Sequence, residues 1–235
     1  MKPPRAGAAL ALLGLAAIAG CSTNLEAAPQ DRLRKPAASA DSNQLCVTRG
    51  AAKIGARVTQ PTMRAVVPGS RGDAAALEFV FRGDTETSAA LATSGARRQL
   101  GLKLRAANGC NLVYVMWRLD PAPQLEVSVK LNPGDKDHGD CGANGYRKLK
   151  PTKPFELPAL EVDARYTLRA AISGDDLTAW INNQVVWRGT LPKEARSLTG
   201  PAGIRSDNVA FDLVALTAAP GDRARPPGCS ADDGD

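Results

Sequence analysis

The chain has 235 residues and a formal net charge of +6, from 30 Lys and Arg against 24 Asp and Glu. The basic residues are scattered, with Lys103, Arg105 and Lys130 at outward strand positions, so we interpret them as solvated and expect no nucleic-acid partner. Glycine (22) and proline (17) are plentiful, and helical periodicity is almost absent after residue 20, which excludes a mainly helical fold and favours an all-β domain.

The first 20 residues have the pattern of an export signal. Lys2 and Arg5 provide a positively charged start, and residues 8–18 form an apolar run. That run is too short to remain as a permanent transmembrane helix. We therefore predict that residues 1–20 are a signal peptide that is removed.

A cysteine follows the apolar run in a specific context. In Ile18-Ala19-Gly20-Cys21, an aliphatic residue and two small residues precede the cysteine. This motif resembles the lipobox of bacterial lipoproteins, which implies that Cys21 is lipidated and attaches the protein to a membrane of the cell envelope. Ser22 stands where the inner-membrane retention signal has Asp, which favours the outer membrane. The alternative is a plain signal peptide followed by a chance cysteine.

Composition divides the remaining chain into three parts. Residues 21–44 are rich in Ala, Pro, Ser, Asp and Arg, and are predicted to form a disordered tether because they cannot bury enough apolar surface to fold. Residues 45–217 carry the strand patterns and are predicted to form one domain. Residues 218–235 are predicted to be a polar tail that contains one further cysteine, Cys229.

Strand patterns begin early in the domain and continue through it. Apolar and polar residues alternate, as in strands with one buried face, over residues 77–82, 100–105 and 125–131, and a further strand is predicted over 110–118. Shorter strands are predicted near Val58 and Val66, a long polar loop over 132–145, and an irregular proline-containing segment over 150–158.

Residues 163–216 are predicted to form a β-meander around which the domain is organised. Alternation over 166–173 and 177–181 predicts two strands, in which Leu177, Ala179 and Ile181 face the core. Asn182-Asn183 predicts a tight hairpin, since Asn tolerates the left-handed backbone of a primed turn. A return strand over 185–187, then a loop, the run of residues 200–208 and a last strand through 211–216 complete the pattern.

Four cysteines remain if Cys21 is lipidated, and an even number in an exported protein predicts two disulfides. Three pairings are open. We favour Cys110–Cys141, which would fix the polar loop to a strand, and Cys46–Cys229, which would join the ends of the domain. None of the spacings is that of a CxxC redox or zinc site.

The polar loop contains Asp135, Asp137 and Asp140 around His138, the single histidine of the chain. Oxygen ligands at this spacing could hold Ca²⁺, but Lys136 interrupts them and the EF-hand pattern is missing, so we interpret the loop as solvated and predict no metal site. No GxSxG, P-loop or GxGxxG motif follows a predicted strand, and no cofactor is predicted.

Aromatic side chains are the candidates for ligand binding. Trp180 is out of phase with its apolar neighbours and should leave the core, while Tyr114 and Trp117 point to opposite faces of one strand. An outward ring can stack on a sugar, and Arg118 is close in sequence as a polar partner. The alternative for each aromatic residue is a packing role under a loop.

The meander and the run Gly203-Ile204-Arg205-Ser206-Asp207-Asn208 before Phe211 resemble the closing strands of concanavalin A-like lectin/glucanase domains, including laminin-G-like and keto-disaccharide-hydrolase-like members. The resemblance covers roughly residues 77–216. It implies an all-β, two-sheet antiparallel jelly-roll sandwich, with an immunoglobulin-like sandwich as the alternative.

The function expected from this resemblance is non-catalytic binding of a glycan or a cell-wall polymer by a surface lipoprotein. One alternative is a glycoside hydrolase that uses Glu161 and Asp163, which alternate and would share a face on a strand, although the acidic run of the glucanases is absent. The other is a structural or protein-interaction module of the envelope. Fold resemblance does not choose between these functions.

Overall fold

The computed structural model describes residues 45–91 and 95–221. Within these ranges the chain forms thirteen strands, which are β1 (Cys46–Arg49), β2 (Arg57–Val58), β3 (Thr62–Val66), β4 (Ser70–Asp84), β5 (Gln99–Asn108), β6 (Asn111–Arg118), β7 (Gln124–Lys130), β8 (Tyr146–Leu149), β9 (Arg165–Ser173), β10 (Asp176–Ile181), β11 (Gln184–Thr190), β12 (Gly203–Asp207) and β13 (Val209–Pro220). A helical turn, α1 (His138–Cys141), follows β7, and a 3-10 helix (Lys193–Ser197) follows β11.

The strands form two antiparallel sheets. One sheet has seven strands in the order β1-β3-β12-β5-β6-β7-β8, and the other has six in the order β11-β10-β9-β4-β13-β2. The predicted all-β, two-sheet antiparallel sandwich is therefore confirmed. None of the helices in the described ranges is long and apolar enough to cross a bilayer.

The core lies between the sheets and follows the alternation of the sequence. Alternate residues of β5, β6, β7, β9 and β10 are buried there, which accounts for the period-two pattern. An aromatic cluster occupies its centre, where Phe79 lies 5.8 Å from Tyr166 and 6.1 Å from Phe211, and the ring of Trp117 lies 5.4 Å from that of Tyr166.

The predicted meander is confirmed for its first three strands. β9, β10 and β11 pair in order, and Asn182 and Asn183 both have positive φ values (47° and 69°) in the turn between β10 and β11. Leu177, Ala179 and Ile181 face the core, as predicted.

The remainder of the meander is more complex than predicted. Residues 203–207 form a strand, β12, that belongs to the seven-stranded sheet, whereas β13 returns to the six-stranded sheet beside β4. β13 extends to Pro220, and β8 follows the polar loop in a segment for which the sequence predicts no strand. β12 and β8 both carry residues of the candidate site.

Candidate functional site

A groove of about 570 Å³ lies on the outer face of the seven-stranded sheet. Its position follows from strand alternation. Val113, Val115 and Trp117 of β6 face the core, so Tyr114 and Met116 face outward, and both of these line the groove. The groove is thus built on the face opposite the core.

Strand register places one row of residues across this face. Arg64 of β3 is opposite Arg205 of β12, which is opposite Gly101 of β5. Gly101 is opposite Met116 of β6, and Met116 is opposite Glu126 of β7. Five strands therefore contribute to one continuous line with cationic side chains at one end and a carboxylate at the other.

Asp207 ties the cationic end of the row together. Its carboxylate accepts hydrogen bonds from Arg64 Nη2 (2.7 Å), Arg205 Nε (2.8 Å) and Gln99 Nε2 (2.7 Å), and its side chain is 1% exposed. Burial alone would raise the pKa of Asp207, but Arg205, Arg64 and Gln99 outweigh burial and lower it. The carboxylate is ionised at neutral pH, and both guanidiniums remain positive.

Two glycines flank Arg205 on the groove face. A Cβ on Gly101 would lie 2.1 Å from the carbonyl oxygen of Val115, and a Cβ on Gly203 would lie 2.2 Å from the carbonyl oxygen of Ala65. Both positions therefore require glycine for close strand packing, and neither supplies a side chain that covers Arg205.

Aromatic rings form the next row. Tyr114 and Tyr146 stack with ring centroids 6.0 Å apart, and the guanidinium carbon of Arg205 lies 5.1 Å from the centroid of Tyr114. Tyr114 is buried by these neighbours, whereas Tyr146 on β8 is 38% exposed. Burial, reinforced by Tyr114, raises the pKa of Tyr146 to about 12, so its hydroxyl stays protonated at neutral pH.

The polar loop forms one wall of the groove through His138, Gly142 and Ala143. The predicted disulfide Cys110–Cys141 is confirmed and joins this loop to the residue before β6. The two cysteines are 31 residues apart. In the chain-entropy model, a disulfide that closes a loop of this length stabilises the folded state by about 3–4 kcal/mol.

The second predicted disulfide stays a prediction. Cys46 is buried and disulfide-bonded, but Cys229 lies outside the described residues, so the pairing Cys46–Cys229 is not tested. Cys21 also lies outside the described residues.

The prediction that Lys103 and Lys130 are solvated is wrong. Both lie on the outer face of the seven-stranded sheet, yet each is 0% exposed. Alternation shows which face a residue occupies but not whether a loop covers that face. The disulfide-linked loop is what covers Lys130, whose ammonium donates to the carbonyl oxygen of Gly109 and to Cys141 Sγ, both at 3.0 Å.

Asn208 holds the opposite wall in place. It follows β12 with φ 55°, and its side-chain oxygen accepts a hydrogen bond from Ala89 N (2.7 Å). Its side-chain nitrogen donates to the carbonyl oxygens of Ala89 (2.9 Å) and Arg97 (2.8 Å). One buried amide thus fixes two points of the segment that lines this side of the groove.

Glu126 ends the row on β7. Its carboxylate forms salt bridges with Arg118 Nη1 and Lys148 Nζ, both at 2.8 Å. Burial would raise the pKa of Glu126, but the hydrogen bonds from Lys148 and Arg118 outweigh it and lower the pKa. Arg118 acts on the groove through Glu126 and does not itself line it.

The four predicted ligand-binding residues do not form one site. Tyr114 lines the groove, and Arg118 orients Glu126 at its edge. Trp117 lies in the core with 0% exposure, so its indole is not available to a ligand, which corrects the prediction for this residue. Trp180 leaves the core as predicted, but on the six-stranded sheet, where the guanidinium carbon of Arg169 lies 4.2 Å from its ring centroid.

Glu161 and Asp163 do not lie on a strand, in contrast to the pattern that suggested a catalytic pair. Both occupy an exposed turn before β9, and Asp163 has φ 66° and pairs with Arg82. Among the residues that the structure describes, no group of three or more His, Cys, Asp or Glu side chains could hold a metal ion.

Sequence reasoning missed Arg64, Gln99, Tyr146, Arg205 and Asp207. Arg64 and Asp207 are 143 residues apart, and Gln99 and Asp207 are 108 apart. Each of the two arginines stands between apolar or small residues in a short strand, which is a weak local signal for an outward charge. The contacts of Arg64 and Gln99 with Asp207 form because β12 lies between β3 and β5 in the sheet, and no local sequence pattern shows this strand order.

Comparison with known proteins supports the fold class. No family model matches the sequence, and a search of curated proteins finds no match. Among solved structures, the chain is similar to carbohydrate-binding module CBM66 from Bacillus subtilis, with a TM-score of 0.51 and 12% identity over 74% of this chain and 96% of the module.

Two lectin structures are also similar, at lower TM-scores. The carbohydrate recognition domain of Emp46p in its metal-free form has a TM-score of 0.48 and 12% identity, covering 79% of this chain and 97% of that domain. Galectin LEC-6 from Caenorhabditis elegans has a TM-score of 0.41 and 11% identity, covering 72% of this chain and 99% of the galectin. At 12% identity the likeness to CBM66 shows the fold alone, a β-sandwich.

Proposed function

We propose that the protein is a surface-anchored lipoprotein whose sandwich domain binds a glycan or a cell-wall polymer without catalysing a reaction. The groove on the seven-stranded sheet carries this proposal, because an exposed ring, Tyr146, lies among polar groups from six strands. A sugar presents an apolar ring face that stacks on such an aromatic side chain and hydroxyls that bond to polar ones. The similar structure CBM66 is a carbohydrate-binding module by name, which supports this class of ligand.

The carboxylate of the groove favours binding over glycoside hydrolysis. Glycosidases use two carboxyl groups, and the general acid needs a raised pKa. Glu126 is the single carboxylate among the described residues that line the groove, and its pKa is lowered by Lys148 and Arg118. It therefore suits an orienting or hydrogen-bonding role.

The proposed lipid anchor at Cys21 is inferred from the sequence alone. Ile18-Ala19-Gly20-Cys21 follows a charged start and an apolar run, and lies outside the described residues. Lipidation at Cys21 would hold the binding domain at a membrane of the cell envelope through the segment 22–44, and Ser22 favours the outer membrane.

A glycan array probed with the full-length protein in detergent tests the function, and Tyr146→Ala tests the site. Loss of the exposed ring should weaken binding about tenfold, because sugar stacking contributes about 1–2 kcal/mol. The melting temperature should also fall, because Tyr146 stacks on Tyr114 and lies near the Lys130 ammonium, so binding is measured at a temperature at which the variant is folded.

Trp180→Ala is the matched control, because Trp180 is an outward aromatic residue on the six-stranded sheet. It should leave binding unchanged if the groove is the site. Loss of binding in Trp180→Ala with normal binding in Tyr146→Ala would assign the ligand to the six-stranded sheet. An array without any bound glycan would reject glycan binding and favour the protein-interaction module.

A further inference from the structure

The groove carries an excess of positive charge. Its described lining includes five cationic side chains and one carboxylate, and these are Arg49, Arg64, Arg97, Lys148, Arg205 and Glu126. Asp207 beneath them adds one further negative charge. Among the described residues, five cations therefore accompany one groove-lining carboxylate and the buried Asp207.

Some cations outside the groove are paired with carboxylates. On the six-stranded sheet, Arg57 and Arg82 pair with Asp212, and Arg165 pairs with Glu78. In the groove, Arg49 is exposed and Arg97 half-buried, and neither takes part in an ion pair among the described residues. The described lining of the groove therefore carries more positive than negative charge.

Arg205 brings this charge to the centre of the groove. Its side chain lines the groove with 11% of its surface exposed, and its Nε is bonded to Asp207. Arg97, on the segment held by Asn208, and Lys148, on β8, also line the groove. A ligand in the groove therefore meets cations from several elements of the structure.

We infer that the groove selects acidic glycans, whose sugars carry carboxylate or sulfate groups, over neutral ones. Guanidinium groups present planar pairs of donors that match anionic oxygens, and charge-assisted hydrogen bonds of this kind are about twice as strong as neutral ones. A neutral sugar gains no such advantage from a cationic groove. The inference rests on the proposed glycan binding and specifies its ligand class.

Matched polymers test this selectivity with the full-length protein in detergent. Polygalacturonate is compared with its methyl-esterified form, and dextran sulfate with dextran, so that each pair differs in charge. The acidic member of at least one pair should bind about tenfold more tightly, and added salt should reduce the difference by screening. Polyglutamate, an anionic polymer without sugars, should bind more weakly than the acidic glycan.

The double variant Arg49→Gln/Arg97→Gln should reduce binding of the acidic polymer about tenfold and so reduce its advantage over the neutral partner. Arg188→Gln is the control, because Arg188 is an exposed arginine on β11 of the other sheet. Unchanged melting temperatures would confirm that both variants are folded.

Three results would overturn the inference, and they separate it from the proposed function. Equal or stronger binding of the neutral polymers would remove the selectivity but keep glycan binding. Equal binding of polyglutamate would indicate a general polyanion surface. An absence of binding to every glycan, acidic and neutral, on the array and in these titrations would reject the proposed function itself.

Discussion

The ammonium group of Lys130 lies inside the protein, beside the disulfide and the groove. Its Nζ donates to Gly109 and Cys141, lies 3.2 Å from His138 Nδ1, and is 5.1 Å from the centroid of the Tyr146 ring. A buried cation without a carboxylate among these neighbours is disfavoured relative to its neutral form. The protonation of this one side chain therefore depends on the fold.

Burial, with a contribution from the positive charge of Arg205, lowers the pKa of Lys130 from 10.5 to about 8. Between these values the unfolded chain binds a proton that the folded chain does not bind. Stability should therefore rise with pH from about 8 towards 10.5, by at most about 3 kcal/mol over the whole window. Urea denaturation at several pH values between about 8 and 9.5 measures the slope. The raised pKa of Tyr146 makes stability fall with pH only above about pH 10, so it does not reduce this slope at lower pH.

Lys130→Met should remove this slope, because methionine has a similar length and does not titrate. Lys148→Met is the matched control, since Lys148 is a largely exposed lysine on the same face. It should keep the slope of the wild-type protein. An identical slope in all three proteins would assign the effect to another group.

At the scale of secondary-structure elements, the bend between β12 and β13 positions one wall of the groove. Asn208 occupies that bend with a positive φ, which Asn adopts more readily than most residues. From there the chain passes from the seven-stranded to the six-stranded sheet, while the side chain of Asn208 holds Ala89 and Arg97. One residue thus couples the crossing of the sheets to a wall of the groove.

Asn208→Gly separates these two roles. Glycine keeps the left-handed backbone but loses three hydrogen bonds, so unfolding should become easier by about 1–3 kcal/mol. Hydrogen exchange at the amide of Ala89 should accelerate more than exchange in β9, which does not contact Asn208. Unchanged exchange at Ala89 would show that the wall does not depend on this side chain.

Local patterns predicted the elements whose partners are near in sequence. The hairpin at Asn182-Asn183 and the strands β9 and β10 depend on alternation and turn residues that lie side by side in the chain. β12 escaped prediction because its five residues, two of them charged, have no clear apolar face, and its partners β3 and β5 are distant. The candidate site depends on that strand, so Tyr114 was predicted and Arg205 was not.

At the scale of the whole molecule, the two outer faces of the sandwich differ in chemistry. The seven-stranded sheet carries the groove with its charge excess, and the six-stranded sheet carries Trp180 under Arg169. Sequence alternation places residues such as Trp180 and Tyr114 outside the core but does not distinguish the two outer faces. That distinction arises from the loops that cover each sheet and from long-range strand order.

The last prediction concerns attachment of the whole molecule to a membrane. The sequence Ile18-Ala19-Gly20-Cys21 supplies small residues before a thiol, and lipidation needs that thiol. Cys21→Ala should therefore remove the lipid and leave the protein unprocessed or displaced from the outer-membrane fraction. Intact-mass analysis of the native protein should find acyl chains at Cys21 as the first residue, with Cys46→Ala as a control that keeps the lipid. An unmodified Cys21 in the mature native protein would contradict the anchor but not the groove, because groove binding depends on folded residues from Arg49 to Asn208.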